Sequence, residues 1–410
     1  MNQYPYPFYQ GQGVPPQPPA PVFGWQSAPQ PVPVQPQAAP AASVFGGYPQ
    51  SGCPQGAYSP AAPAFGSVQQ APVVPFSPQP VPVQPVSVAP PFALKQEKNP
   101  KLAGASKTLN RLCLVVLLQT AAAFLLEMPL MALFFSQGVN IMTDPMAFQW
   151  FTTAMVPLST ALPFFIYLRL GQKDVTDYLK FEKVGFFTAL LCVLAGLALC
   201  LLGNFPAFAI QDFFGSFGYE PASSLVEESA SMALFLLEML STAVLVPVME
   251  EFAFRGVLLS SLRKYGAGFA IVASAFVFSL VHLDFSNVVF AFIAGLVFGF
   301  LYVKTGNLWI SILIHALNNG IAVAGSYGEF LFGESMAKAF EDLSLLIPIV
   351  AGLVALLLLV IFRRERLFKR KEEKTPLCLS GGEAAAAMVR APLLWVIVAF
   401  MAAYTTTLFF

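Results

Sequence analysis

Three short stretches of this sequence carry polar side chains at spacings that suit hydrolytic chemistry. The first is EEFAFR, where Glu250, Glu251 and Arg255 interrupt a run of Leu, Val, Phe and Ala. Glu251 and Arg255 are four residues apart, so on a helix they face each other and can form an ion pair. Glu250 lies about 100° around the helix and has no cation on its own face. We therefore expect Glu250 to be the general base that takes a proton from water.

The chain has only two histidines, and they belong to the other two stretches. His282 ends FSLVH and His315 begins HALNN. His315 and Asn319 are four residues apart, so they point the same way and supply two neutral donors for an oxyanion on an attacked carbonyl. His282 could share the attacking water with Glu250. The alternative for each histidine is a purely structural hydrogen bond between helices.

These side chains are expected at similar depth in a membrane. Counting along each helix from the nearest basic loop places Glu250 and His282 about 20 Å, and His315 about 16 Å, from that loop. Charged groups at a helix centre cost about 2.5 to 3.5 kcal/mol each on insertion scales, so they tend to face the bundle interior and function there. The acidic residues that lie in the apolar runs but outside the three stretches are expected to be structural; they are Glu127, Glu238 and Asp284.

The elements that position these residues are apolar segments long enough to cross a bilayer. Hydrophobic residues make up 56% of the 410 residues and charged residues only 11%, which excludes a soluble globular domain. The predicted fold class is all-α, a polytopic membrane helix bundle of about 8–9 transmembrane helices. The apolar runs lie at about 112–136, 148–168, 184–204, 231–260, 268–284, 287–303, 308–326, 343–362 and 391–410.

The charges predict orientation rather than a charged partner. The 22 basic and 22 acidic residues cancel, so no nucleic-acid partner is expected. Basic residues concentrate in alternate loops, around 169–183, 263–264, 304 and 363–374. Because basic loops stay in the cytoplasm, we expect a cytoplasmic N-terminus, and an external C-terminus if the last run spans. The five cysteines show no metal-site spacing.

In this order the three motifs resemble the CPBP family of intramembrane proteases, which includes the type II CAAX prenyl endoproteases and the bacteriocin-immunity (Abi) proteins. The family pattern is EExxxR, then FxxxH, then HxxxN or HxxxD, on successive helices. The resemblance implies a membrane endopeptidase with a water-activating pair, a carbonyl-polarising pair and a supporting ion pair. These pairs are Glu250 with His282, His315 with Asn319, and Glu251 with Arg255, respectively.

The family has been described both as metalloproteases and, for the CAAX enzyme, as a metal-independent glutamate protease. If zinc binds here, its three ligands would be Glu250, His282 and His315, which leaves one position for water. The chain lacks HExxH, and Asn319 pairs naturally with His315 as a donor while being a poor zinc ligand. We therefore expect water activation without a cofactor, with zinc as the alternative.

The domain organisation follows from composition and from the resemblance. Residues 1–94 contain no Asp, Glu, Lys or Arg and are rich in proline and glutamine, which predicts a disordered cytoplasmic tail over 1–100. That tail is either a tether or a polyproline docking segment for an adaptor. The other predicted parts are a first transmembrane helix (101–140), a CPBP-like protease core (145–330), an additional transmembrane helix with a basic cytoplasmic linker (331–374) and a C-terminal transmembrane helix (375–410).

The expected partners are membrane lipid and a membrane-associated or lipid-anchored protein or peptide substrate. The low-complexity tail and compact core favour a bacterial cell membrane, and nothing in the sequence specifies a prenyl pocket. One alternative is a non-catalytic immunity or scaffold protein that recruits partners through the Pro-rich tail. A proton-coupled transporter would require a repeat between the two halves, and none is visible.

Overall fold

The computed structural model describes residues 99–141, 143–219, 230–367 and 375–407. These residues are helical, and no β-strand occurs within them, which confirms the all-α fold class. The predicted Pro-rich tail up to residue 98, residues 220–229 and most of the basic linker lie outside the described residues.

Sixteen α-helices occur in the described part of the chain. The first six are α1 (Pro100–Ser136), α2 (Pro145–Val156), α3 (Leu162–Leu170), α4 (Val175–Tyr178), α5 (Phe186–Leu202) and α6 (Asn204–Gly215). The next six are α7 (Met232–Leu240), α8 (Val246–Glu251), α9 (Ser260–Leu262), α10 (Ala267–Leu280), α11 (Phe285–Thr305) and α12 (Leu308–Ser326). The last four are α13 (Gly328–Phe332), α14 (Glu334–Leu367), α15 (Gly381–Val389) and α16 (Pro392–Thr406).

Seven helical segments among the described residues are long and apolar enough to cross a membrane, or eight if α15 and α16 form one span bent by 67°. Eight spans agree with the lower end of the predicted 8–9 transmembrane helices, and among the nine apolar runs the one at 268–284 falls short of a span. The helix α10 has 14 residues, or about 21 Å, which is shorter than the roughly 30 Å hydrocarbon core. The last apolar run is one arm of the bent pair rather than an independent span.

Side-chain caps explain where two of the helices begin. The helix α1 starts at Pro100, well before the apolar run, because Asn99 Oδ1 accepts hydrogen bonds from the backbone N–H groups of Lys101 and Leu102. The helix α11 starts after Asp284, whose carboxylate accepts from the backbone N–H groups of Ser286 and Asn287.

The central span, Met232–Tyr265, is not a uniform α-helix. It is π-helical over Ser241–Leu245 and again over Phe252–Leu259, and the two glutamates lie on α8 between these segments. Pro247 contributes to the irregularity because it has no backbone N–H to donate to the preceding turn. Since π-helical turns are frequent at functional sites, this irregularity marks the span that carries the first motif.

The span packs against α10 and α12, and its buried side chains join a hydrophobic core that also includes α1 and α16. A second core lies between α5, α11, α12 and α14. Gly295 of α11 allows close approach to α10, because a Cβ there would lie 3.0 Å from Cα of Ala275. The three motif-bearing elements are thus held together by continuous apolar packing.

The C-terminal helices run beside this assembly. Leu379 N–H donates to the Tyr265 carbonyl, and Asn99 Nδ2 donates to Glu383 Oε1 at 2.6 Å, so α15 begins at the end of the bundle where α1 begins. At the other end, Thr405 Oγ1 donates to the Leu283 carbonyl at 2.8 Å. The pair α15 and α16 therefore extends along the full length of α10.

Candidate active site

The two adjacent glutamates of α8 have different surroundings. Glu251 Oε1 accepts a hydrogen bond from Arg255 Nη1 at 2.8 Å, and both side chains are buried. The side chain of Glu250 is 13% exposed, whereas that of Glu251 is fully inaccessible. The expected ion pair is present, even though the backbone turns π-helical at Phe252. Of the two carboxylates, Glu250 is therefore the one that water or a substrate can approach.

His315 of α12 lies between these carboxylates. Its Nδ1 is 3.2 Å from Glu251 Oε1, and its Nε2 is 3.8 Å from Glu250 Oε2. The first distance is a hydrogen bond and the second is a close electrostatic contact. The contact between Glu251 and His315 was not predicted, because helical spacing relates residues on one helix and these two lie on different spans.

Two buried phenylalanines complete the surroundings of the cluster. The guanidinium carbon of Arg255 lies 4.2 Å from the ring centroid of Phe278 and 4.9 Å from that of Phe298, both within cation–π range. The Phe298 ring also stacks on His315, with 5.1 Å between the centroids. Phe298 is one of 40 phenylalanines and stands in no motif, so the sequence offered no signal for its role.

His282 lies in the connection between α10 and α11 rather than on a helix. The helix α10 ends at Leu280, two residues short of the position that the FSLVH motif predicted. The His282 Nδ1 atom is 3.0 Å from the Phe278 carbonyl oxygen, which can only accept a hydrogen bond. The Nδ1 atom therefore carries a hydrogen, and in the neutral ring Nε2 is an acceptor.

His282 joins the cluster through the ring of Phe278. The two ring centroids are 4.8 Å apart, and the Phe278 centroid is 6.1 Å from that of His315. The direct contact of Glu250 is with His315, so the carboxylate approaches the second histidine rather than His282. The residues of all three motifs are nevertheless assembled around the rings of Phe278 and Phe298.

Asn319 makes a contact that helical spacing did not predict. Its Nδ2 donates to the backbone carbonyl of Thr242 at 3.0 Å, within the first π-helical segment of the central span. Its Oδ1 accepts from Asn318 Nδ2 at 3.4 Å. The amide that was expected to stand beside His315 as an oxyanion donor thus also ties α12 to the central span.

Several polar atoms of the cluster are buried without a hydrogen-bond partner in the described part of the chain. They are Oε2 of Glu250 and of Glu251, and Nε and Nη2 of Arg255. Each unpaired buried polar group costs about 1–3 kcal/mol, and native structures retain few of them.

The fit of this arrangement to a metal ion can be tested on its donor atoms. Across the described ranges, no group of three or more His, Cys, Asp or Glu side chains is gathered so as to hold an ion. Of the three zinc ligands considered from the sequence, Glu250 and His315 lie 3.8 Å apart, whereas the ring of His282 contacts that of Phe278. The side chains do not form a three-ligand site in this conformation.

Comparison with known proteins locates these residues in one family domain. Residues 232–321 match the family model of the type II CAAX prenyl endopeptidase Rce1-like proteins. All six predicted site residues fall within this match, and the resemblance stated from the motifs is confirmed. The wider core of 145–330 remains a prediction.

Two curated bacterial proteins are similar to parts of the chain. One is "Putative membrane peptidase YdiL" of Bacillus subtilis (strain 168), 28% identical over 157 residues, which covers 38% of this chain and 60% of that protein. The other is "Membrane-embedded CAAX protease MroQ" of Staphylococcus aureus (strain USA300), 34% identical over 107 residues, which covers 24% of this chain and 42% of that protein. The chain thus matches less than two thirds of either relative. No solved structure gives a significant match.

Proposed function

We propose that this integral membrane protein is an intramembrane endopeptidase that hydrolyses a peptide bond of a membrane-associated or lipid-anchored protein. The observation that carries the proposal is the pair of adjacent carboxylates on either side of the His315 ring. Glu251 is bound to Arg255 and to His315 Nδ1, whereas Glu250 faces Nε2 and remains partly accessible. One carboxylate therefore orients the imidazole, and the other is available for proton transfer.

In the proposed reaction Glu250 takes a proton from water as the water oxygen attacks the scissile carbonyl carbon. The Nε2 atom of His282 accepts a hydrogen bond and orients this water, because Nδ1 is engaged with the Phe278 carbonyl. When the carbon–nitrogen bond breaks, Glu250 returns the proton to the leaving amine. The proton that Glu250 accepts from water is thus the same proton that it gives to the amine.

His315 donates to the oxyanion that develops on the carbonyl oxygen. The proposed step requires a hydrogen on both ring nitrogens of His315. Both ring nitrogens are then donors, Nδ1 to Glu251 and Nε2 toward the reaction centre. A fixed donor in a site of low dielectric stabilises such an oxyanion more strongly than water does. Asn319 supports this geometry by joining α12 to the central span.

The family match and the names of the relatives support a peptidase and carry no information on this chain's substrate. We propose a bacterial cell membrane as its location, with the N-terminus in the cytoplasm. The partners proposed are the lipid bilayer and a membrane-associated peptide. An adaptor for the Pro-rich tail remains a proposal that depends on residues outside the described ranges.

The substitution Glu250→Gln tests the proposal. It keeps the size of the side chain and removes the proton acceptor, so we expect hydrolysis to fall by about 10²- to 10⁴-fold while expression and folding are retained. The matched control is Glu127→Gln, which neutralises another carboxylate within a membrane span. The measurement is a comparison of membrane-derived peptides from cells that carry each full-length variant. Unchanged peptide profiles for Glu250→Gln would favour the non-catalytic scaffold instead.

A further inference from the structure

The connection between α10 and α11 contains an unusual backbone conformation directly after His282. Leu283 has φ of 61°, in the left-handed region that leucine rarely adopts. The next N–H, of Asp284, donates back to the His282 carbonyl at 2.6 Å. A left-handed leucine persists only when its surroundings hold it, so the neighbours of this connection decide how the histidine is presented.

One set of contacts holds the connection through Asp284. Its Oδ1 accepts hydrogen bonds from Tyr219 Oη at 2.6 Å, from Ser286 Oγ at 2.7 Å and from Ser286 N–H at 3.0 Å. Tyr219 lies beyond the end of α6, outside the membrane spans. Burial, and then the bond to Asp284, raise the pKa of the Tyr219 phenol above its usual value, so the phenol remains a donor. Asp284 is thus bonded both to the first turn of α11 and to the segment that follows α6.

The other contact comes from the last helix. Thr405 of α16 is buried, and its hydroxyl donates to the carbonyl of the left-handed Leu283 at 2.8 Å. The helix α16 lies outside residues 232–321, which match the family model. A residue beyond the family domain therefore bonds to the backbone one position away from His282.

We propose that Thr405 and Asp284 are positioning residues for His282, and that the C-terminal helix pair is part of the active centre. The hydroxyl holds the connection at the Leu283 carbonyl, and the carboxylate holds it at Asp284. This keeps the His282 Nδ1–H on the Phe278 carbonyl and fixes the orientation of the imidazole ring. The activity expected of this arrangement rests on the proposed function, but the arrangement itself can be measured without it.

The test uses the full-length chain in lipid nanodiscs, labelled with ¹⁵N-histidine. Because the chain has only two histidines, its NMR spectrum holds two sets of ring nitrogen signals, which His282→Gln and His315→Gln assign. Thr405→Val keeps the shape of the side chain and removes the donor. We expect it to shift the His282 ring signals, to leave those of His315 in place, and to lower peptide hydrolysis by roughly tenfold. Thr405→Ser should restore both properties.

The matched control is Thr406→Val, which removes an exposed hydroxyl that bonds to the Ala403 carbonyl of its own helix. It should leave both sets of ring signals and the hydrolysis rate unchanged. If Thr405→Val fails to fold, Tyr219→Phe removes the phenol donor to Asp284 and should shift the same His282 signals.

Unshifted His282 signals in a folded Thr405→Val or Tyr219→Phe protein would overturn the positioning role. Shifted signals in a protein whose wild-type form hydrolyses no peptide would retain the positioning role and reject the protease. The two failures are therefore distinguishable in one set of samples.

Discussion

Glu251 and His315, 64 residues apart in the sequence, are joined by a contact of 3.2 Å between Oε1 and Nδ1. The same carboxylate oxygen also accepts the hydrogen bond from Arg255. This shared oxygen couples the central span to α12 in the interior of the bundle. Because all three side chains are inaccessible to solvent, the strength of this coupling should appear in stability as well as in activity.

The first prediction concerns the buried ion pair. Replacing Arg255 with Met keeps much of its volume and deprives the buried Glu251 of its guanidinium partner, so we expect a loss of about 3–5 kcal/mol in the free energy of unfolding. The control is Lys338→Met, which removes an exposed cation bound to Glu341 and Asp342 and should change stability by at most about 1 kcal/mol. Unfolding of the purified protein in detergent measures both effects. An equal loss of unfolding free energy in the two variants would contradict the stabilising role of the buried Arg255.

The second prediction separates Asn319 from its neighbour. The substitution Asn319→Leu removes the donor to the Thr242 carbonyl, and leaving that acceptor unpaired should cost about 1–3 kcal/mol. Hydrolysis should also fall, because α12 carries His315. Asn318→Leu leaves the Thr242 bond in place and is the comparison. Thermal unfolding and peptide cleavage, measured on the same preparations, check this prediction. A larger loss of stability and hydrolysis in Asn318→Leu than in Asn319→Leu would reject the role assigned to Asn319.

The third prediction addresses metal dependence. If the side chains alone activate water, activity should survive exhaustive treatment of the purified protein with a chelator. The metal content of the treated sample is measured in parallel so that removal is established. Activity that disappears on chelation and returns with zinc would instead favour Glu250, His282 and His315 as ligands in a conformation that brings the three together.

The fourth prediction tests orientation through the cysteines. Cys113, Cys192 and Cys200 are buried, whereas Cys378 is partly exposed. The segment that carries Cys378 packs against Lys264 and Tyr265, at the end of the bundle expected to face the cytoplasm. In a Cys53→Ser background, an impermeant thiol reagent should therefore label inside-out vesicles and spare right-side-out ones.

The opposite labelling pattern would reverse the proposed orientation, including the cytoplasmic N-terminus. Cys378→Ser in the same background is the control, since its loss should abolish labelling in either kind of vesicle. Because the three remaining cysteines are buried, residual labelling would indicate that the protein had unfolded.

Composition and the three motifs were sufficient to establish an all-α membrane protein and its similarity to the CAAX endopeptidases. Long apolar runs leave few alternatives to membrane-spanning helices, since a bilayer requires backbone groups to be paired within each segment. The ion pair of Glu251 and Arg255 was also within reach of the sequence, because residues four apart on a helix are neighbours whichever fold surrounds them. Local spacing therefore predicts contacts along one helix well.

Tertiary structure alone decided the contacts between helices. It placed His315 against both carboxylates, turned the Asn319 amide toward Thr242 and moved His282 off the end of α10. It also brought Thr405 to the carbonyl beside that histidine. The relative depth and rotation of separate helices depend on how their buried faces pack, and no spacing within a single segment encodes that packing.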